Sequence, residues 1–146
     1  MRAAVAFVIV SNEIVRIVRI NYSGFVFLVT SNKSKRLLHL SYIGQIGPEE
    51  IRAGLENLKM LLAEMPPDFR LLVDLGRLES MDLACVPELG RAMEMVDEHG
   101  VGLVVRVIPD PSKDIGFNIL TIFHYTRRPQ IVAHQNIIEA ARALSL

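Results

Sequence analysis

Leu71-Leu72-Val73-Asp74-Leu75-Gly76-Arg77-Leu78-Glu79-Ser80-Met81-Asp82 decides the fold of this chain. It reads as a short apolar strand that ends on an aspartate, then a tight loop, then a second aspartate where a helix should begin. Such a layout places two carboxylates near the C-terminal edge of an open sheet, where α/β proteins commonly hold their sites.

The flanks extend the alternation. Upstream, Gly47-Pro48-Glu49-Glu50 opens a helix, with proline in the first turn and acids at the positive end of the helix dipole. Ile51, Leu55, Leu58, Leu62 and Met65 give it one apolar stripe, and Pro66-Pro67 ends it. Downstream, a second helix is expected from about Asp82 or Val86 to His99, with Val86, Leu89, Met93 and Val96 inward and Gly100 as its stop. Val101 to Ile108 is an apolar run that suits a strand covered on both faces. Pro109-Asp110-Pro111-Ser112 breaks it. A third helix over about 113–125 carries Phe117, Leu120 and Phe123. A strand at 130–133 and a helix capped by Asn136 close the chain.

The first 43 residues read differently. Residues 3–10 and 14–20 are short and rich in β-branched side chains, with turn-like Ser11-Asn12-Glu13 between them. They form a hairpin, and strands at 25–29 and 36–43 follow across the polar turn Ser31 to Lys35. Met1-Arg2 before Ala3 to Val10 has the outline of a secretion signal, but its valines and isoleucines suit a strand. The order of elements predicts an α/β fold: a mixed sheet, antiparallel at its start and parallel later, with about four helices.

Composition bounds the function. The 146 residues carry 16 basic and 16 acidic side chains, so the formal net charge is zero. A nucleic-acid partner would call for a basic excess, and none is expected here. No apolar run is long enough for a membrane span. The one cysteine, Cys85, fits a reducing, cytoplasmic setting and reads as a small buried hydrophobe. His39, His99, His124 and His134 show no i, i+4 pair and no Cys/His cluster, so neither a metal nor another cofactor is implied. Glycine-rich nucleotide loops and the hydrolase Gly-x-Ser-x-Gly elbow are absent. His124, Tyr125, Arg127 and Arg128 suggest an anion-binding loop; the plainer reading is a solvated turn before Pro129.

The stretch quoted first also resembles the STAS domains, which include the bacterial anti-sigma-factor antagonists. The family frame runs strand, Asp-Leu-Ser-Gly, an apolar stretch, then Asp-Ser-Ser-Gly. Here Asp74-Leu75-Gly76-Arg77 and Asp82-Leu83-Ala84-Cys85 follow it without a gap. Ile43 to Ile46 before the first helix, Glu98-His99-Gly100, and the closing Asn136 to Leu144 helix complete a likeness over about residues 24–146. Residues 1–23 lie outside it as an N-terminal strand extension.

The resemblance implies a non-enzymatic interaction module of a bacterial regulatory system. Its partner would be an anti-sigma-factor-like protein or another regulator. The partner surface would lie at Asp74, Ser80, Asp82, Leu83, Ala84 and Cys85. The phosphate acceptor of the family falls on Ala84, which has no hydroxyl. Gly47 stands where the family often has an aspartate, and Pro87 where it has small residues. The usual phosphoserine switch is therefore expected to be missing. Ser80 is the nearest hydroxyl, read as a turn serine. Asp82 and Asp74 also have local readings, as a helix N-cap and as an acceptor for turn amides. Two alternatives stand beside this one. One is a STAS-like carrier of a small apolar or lipid-type ligand, held by Phe117, Leu120 and Phe123. The other is an enzyme using Asp74 and Asp82 as paired carboxylates, for which no base, nucleophile or metal set completes the site. The apolar hairpin of residues 3–20 must be buried against something, and a homodimer through these strands is expected.

Overall fold

A computed structural model describes residues 2–10, 13–22, 25–110, 119–121 and 124–145, those before Phe27 by their backbone. The strands are β1 (Arg2–Val10), β2 (Glu13–Tyr22), β3 (Phe25–Asn32), β4 (Leu37–Ile46), β5 (Arg70–Asp74), β6 (Leu78–Met81), β7 (Leu103–Val107) and β8 (Gln130–His134). Helix α1 (Pro48–Glu64) follows β4, a 3-10 turn (Leu83–Cys85) and α2 (Val86–Glu98) follow β6, and α3 (Ile137–Ala143) closes the chain. Residues 119–121 are helical, inside the helix expected over 113–125. Phe117 and Phe123 of that helix lie outside the described residues.

One mixed sheet runs β1-β2-β3-β4-β5-β7-β8. β1 to β4 pair antiparallel as successive hairpins, and β5, β7 and β8 join in parallel, as the element order predicts. β6 stands off this path. It pairs in parallel with the end of β4, Gly44–Ile46, beyond the point where β5 stops opposite Ser41. Gly44 makes this succession work. It has φ +92, a conformation that L side chains rarely adopt, and the register shifts between it and Gln45. The bend directs the last residues of β4 toward β6, and the Gly44 amide donates to the Arg77 carbonyl at 3.1 Å. The sequence reading had a loop and a turn serine over 75–81. The correction follows from Leu78-Glu79-Ser80-Met81 having two exposed polar residues in its middle, which hides a strand that is held by its backbone ladder.

The larger core lies between one sheet face and α1 and α2. Phe27, Val29, Leu38, Leu40, Tyr42, Leu71 and Val104 meet Ile51, Leu58, Leu61 and Leu62 of α1 and Leu89, Met93 and Val96 of α2. On the other face α3 covers less: Ala140 and Leu144 pack on Leu72, Val105 and Val107. The α1 stripe is as expected at Ile51, Leu58 and Leu62, while Leu55 is only half-buried and Met65 is the buried residue just past the helix. Gly54 also faces inward. A Cβ there would lie 2.9 Å from the Phe27 ring, so the absent side chain lets α1 approach β3.

One other expectation needs correcting. Val86 is 42% exposed rather than inward. It is the first residue of α2, and Cys85 of the preceding 3-10 turn takes the inward place. The strand expected within 101–108 is present at Leu103–Val107 and covered on both faces, with Arg106 2% exposed inside the layer. Its guanidinium donates to the Thr121 hydroxyl, on the helical residues that pack over this face.

Candidate functional site

The residues singled out in the sequence gather at the C-terminal ends of β5 and β6. Asp74 is the last residue of β5, and its Oδ1 accepts the Gly76 N–H at 2.9 Å, closing the turn that feeds β6. Asp82 is the N-cap of the 3-10 turn. Its Oδ1 accepts the Ala84 N–H at 2.9 Å, and its own N–H donates to the Ile46 carbonyl at 3.0 Å. Each carboxylate thus holds a backbone amide next to it. Ser80 is exposed in β6, in register with Gln45.

The turn these bonds fix has two sides. Cys85 is fully buried, its S–H donating to the Ile46 carbonyl at 3.7 Å. Burial pushes the thiol pKa up, and the negative charge of Asp82 adds to it, so the sulfur is held as an inert thiol. Leu83 points the other way, 86% exposed, with Ala84, Val86 and Pro87 exposed around it. Leu83 is thus an open apolar side chain on a turn anchored by a cap and a buried cysteine. Just behind it Glu88, buried in the first turn of α2, accepts from Arg52 Nη2 of α1 at 3.1 Å, with Arg91 at 3.9 Å on its other oxygen. This bridge locks the start of α2 to α1. Sequence reasoning missed it, because a glutamate in a first turn is explained by the helix dipole alone.

Arg127 and Arg128 are exposed on the loop after the helical residues 119–121. The loop is organised by Asp97, 4% exposed in the last turn of α2. Its carboxylate accepts the Thr126 N–H at 3.2 Å, the Thr126 hydroxyl at 2.9 Å and the Arg127 N–H at 3.2 Å. The loop's own amides are therefore taken by a carboxylate of the chain, and an external anion would meet only the two guanidinium groups. His124 Nδ1 pairs with Glu94 at 2.8 Å, and its ring rests on Gly90, where a Cβ would come within 2.6 Å. Burial raises the Tyr125 phenol pKa far above its ordinary value, partly countered by the nearby Arg106 charge. Asp97 was missed in the sequence, although an acid at the negative end of a helix opposes the dipole and signals a partner elsewhere.

On the opposite sheet face, His39 and Ser41 of β4 lie beside the end of β5. His39 Nε2 and Ser41 Oγ are 3.2 Å apart, and Ser41 is in register with Asp74. Burial lowers the His39 pKa, and the Asp74 charge partly opposes that shift.

For a ligand carrier, the space that matters is between α2 and the sheet. A cavity of about 40 Å³ lies there, lined among others by Leu40, Tyr42, Leu89, Met93, Arg106 and Tyr125. That is an order of magnitude below a pocket of about 300 Å³ or more that takes a drug-sized ligand. A more open groove of about 370 Å³ runs between α1 and α2, past Leu55, Lys59, Arg91, Met95 and His99. Leu120, from the expected carrier helix, is half-buried against the core. Among the described residues no group of three or more His, Cys, Asp or Glu is arranged to hold a metal ion, and no helix is long and apolar enough to cross a membrane.

No family model matches the sequence, and no curated protein is recognisably similar to it. Solved structures are. An uncharacterised protein of the DUF3478 family with a SpoIIAA-like fold, from Shewanella loihica PV-4, superposes with a TM-score of 0.59 at 12% identity, covering 97% of this chain and 93% of that one. The unphosphorylated anti-sigma factor antagonist SpoIIAA matches with a TM-score of 0.55 at 15% identity, over 82% of this chain and 97% of its own. An anti-sigma factor antagonist from Mycobacterium paratuberculosis matches with a TM-score of 0.50 at 16% identity, over 90% and 95%. The chain has the STAS-like fold. Within it, the surface at Asp82–Pro87 is the edge at which β6 turns into α2.

Proposed function

We propose that this protein is a non-enzymatic interaction module of a bacterial regulatory system, working in the cytoplasm and docking a protein partner through the surface from Ser80 to Pro87. The observation that carries this reading is Leu83, 86% exposed on a turn fixed by the Asp82 cap and the buried Cys85. An apolar anchor held in place before binding loses little side-chain freedom on docking. Two of the structurally similar proteins are anti-sigma factor antagonists, which supports an anti-sigma-factor-like partner. Ala84 has no hydroxyl, so docking here is constitutive rather than switched by phosphate at that position. Asp74 and Asp82 act as supports of the surface, and Arg127 and Arg128 as a separate weak anion contact. Residues 1–23 are read as a strand extension of a STAS-like domain of residues 24–146.

The test is a pair of baits, wild type and Leu83→Asp, taken through an extract of the source organism, with the captured partner then titrated calorimetrically. Affinity should fall at least tenfold in the variant while the unfolding midpoint stays put, since an exposed substitution usually changes stability by no more than about 0.5 kcal/mol. Equal capture by both baits refutes the surface. Phosphate on Ser80 after incubation with a cognate kinase refutes the constitutive reading.

A further inference from the structure

The sheet has two outer strands, and they are built in opposite ways. β8 is five residues long, with Pro129 immediately before it and α3 starting three residues after it. A short strand beside a proline is how proteins blunt an edge. β1 is nine residues long, and among the described residues it pairs with β2 alone. After Arg2 its sequence is Ala-Ala-Val-Ala-Phe-Val-Ile-Val, without a charge, a proline or a glycine. Among the described residues none of these devices protects that edge, and its outer backbone N–H and C=O groups form a template for one more strand.

We propose that β1 pairs antiparallel with β1 of a second copy of this chain, about a twofold axis at Ala6, so that one sheet runs through both protomers. A closed twofold is the commonest way for one surface to satisfy itself. Centring at Ala6 uses the whole strand, with Arg2 opposite Val10 of the other copy and Ala3 opposite Ile9. The charges support this register. Within a protomer, Val10 pairs with Glu13. Arg2 of one copy therefore falls in the same cross-strand row as Glu13 of the other, one strand further on, about 10 Å away at the usual strand spacing. The symmetry repeats this at the other end, so both ends of the joint set opposite charges in one row. A slip by two residues shortens the ladder and removes that match.

Light scattering on the wild-type protein at high micromolar concentration should give twice the monomer mass; a monomer overturns the proposal. Single cysteines then read the register, because Cys85 is buried and gives a silent background. With copper–phenanthroline, Ala6→Cys should cross-link to a covalent dimer. Ala3→Cys and Ile9→Cys should each stay uncross-linked alone and form a heterodimer when mixed. A dimer in which Ala6→Cys fails to link, or in which all three variants link equally well alone, overturns the β1 pairing. Failure of Leu83→Asp to lose its partner would leave these results untouched, since the two surfaces are read by separate variants.

Discussion

The two halves of the sheet are covered in opposite ways. From β4 to β8 the strands run parallel; the β4–β5 and β6–β7 connections each carry a helix across the sheet, while β5 passes to β6 through a short turn. α1 and α2 come to one face in this way, and α3 reaches the other. From β1 to β4 the connections are hairpins, which carry no cover of their own. α1 reaches back over β3 and touches β2, while β1 has its principal contacts with β2. The covered half holds the buried core and the capped turn at Asp82–Cys85. The hairpin half ends, among the described residues, on β1.

The sharpest way to break this contrast is to remove cover. Leu62 is 0% exposed in the layer between α1 and the sheet, and Leu62→Ala should cost about 2–5 kcal/mol of unfolding free energy in urea titration. A loss well under that range would mean that the helical layer does not carry the stability. Asp97→Ala comes next. It leaves the Thr126 and Arg127 amides without their acceptor, at about 1–3 kcal/mol, and hydrogen exchange across 124–128 should quicken. Asp97→Asn keeps one acceptor oxygen and should recover part of the loss. Asp82→Ala should cost about 1 kcal/mol, the usual worth of an N-cap, and should weaken partner binding by loosening the turn under Leu83.

The smallest effect belongs to the strand where the halves meet. His39 lies on β4, antiparallel to β3 and parallel to β5. Its folded-state pKa lies below the ordinary 6.5, so the fold favours the neutral ring. The stability it contributes is fully present above pH 6.5 and is lost as the pH falls through the lower folded-state value. Urea midpoints at pH 7.5 and pH 5 should differ for the wild type, and His39→Gln should reduce that difference. An unchanged difference would assign the acid sensitivity to other groups.

What the sequence determined by itself is what neighbours along the chain decide. The α1 stripe from Ile51 to Leu62, its stop at Pro66-Pro67, and the Asn136 cap, whose Oδ1 accepts the Glu139 N–H at 2.9 Å, all follow from spacing and local bonding. The order of strands and helices, and with it the mixed sheet, follows too. So does the missing hydroxyl at Ala84, and so do the local bonds of Asp74 and Asp82, each made two residues away. Only the tertiary structure decided what depends on partners distant in sequence. β6 is a strand because Gly44 turns the end of β4 toward it. Arg106 is buried in a strand with its guanidinium donating to Thr121, 15 residues further on. Asp97 and Glu88 have their meaning from residues 29 and 36 positions away. The 86% exposure of Leu83 is of the same kind, fixed by Cys85 packing inward and anchoring the turn. Local propensity and spacing act within about one turn of chain, whereas burial and buried charge are fixed by the packing of the whole layer.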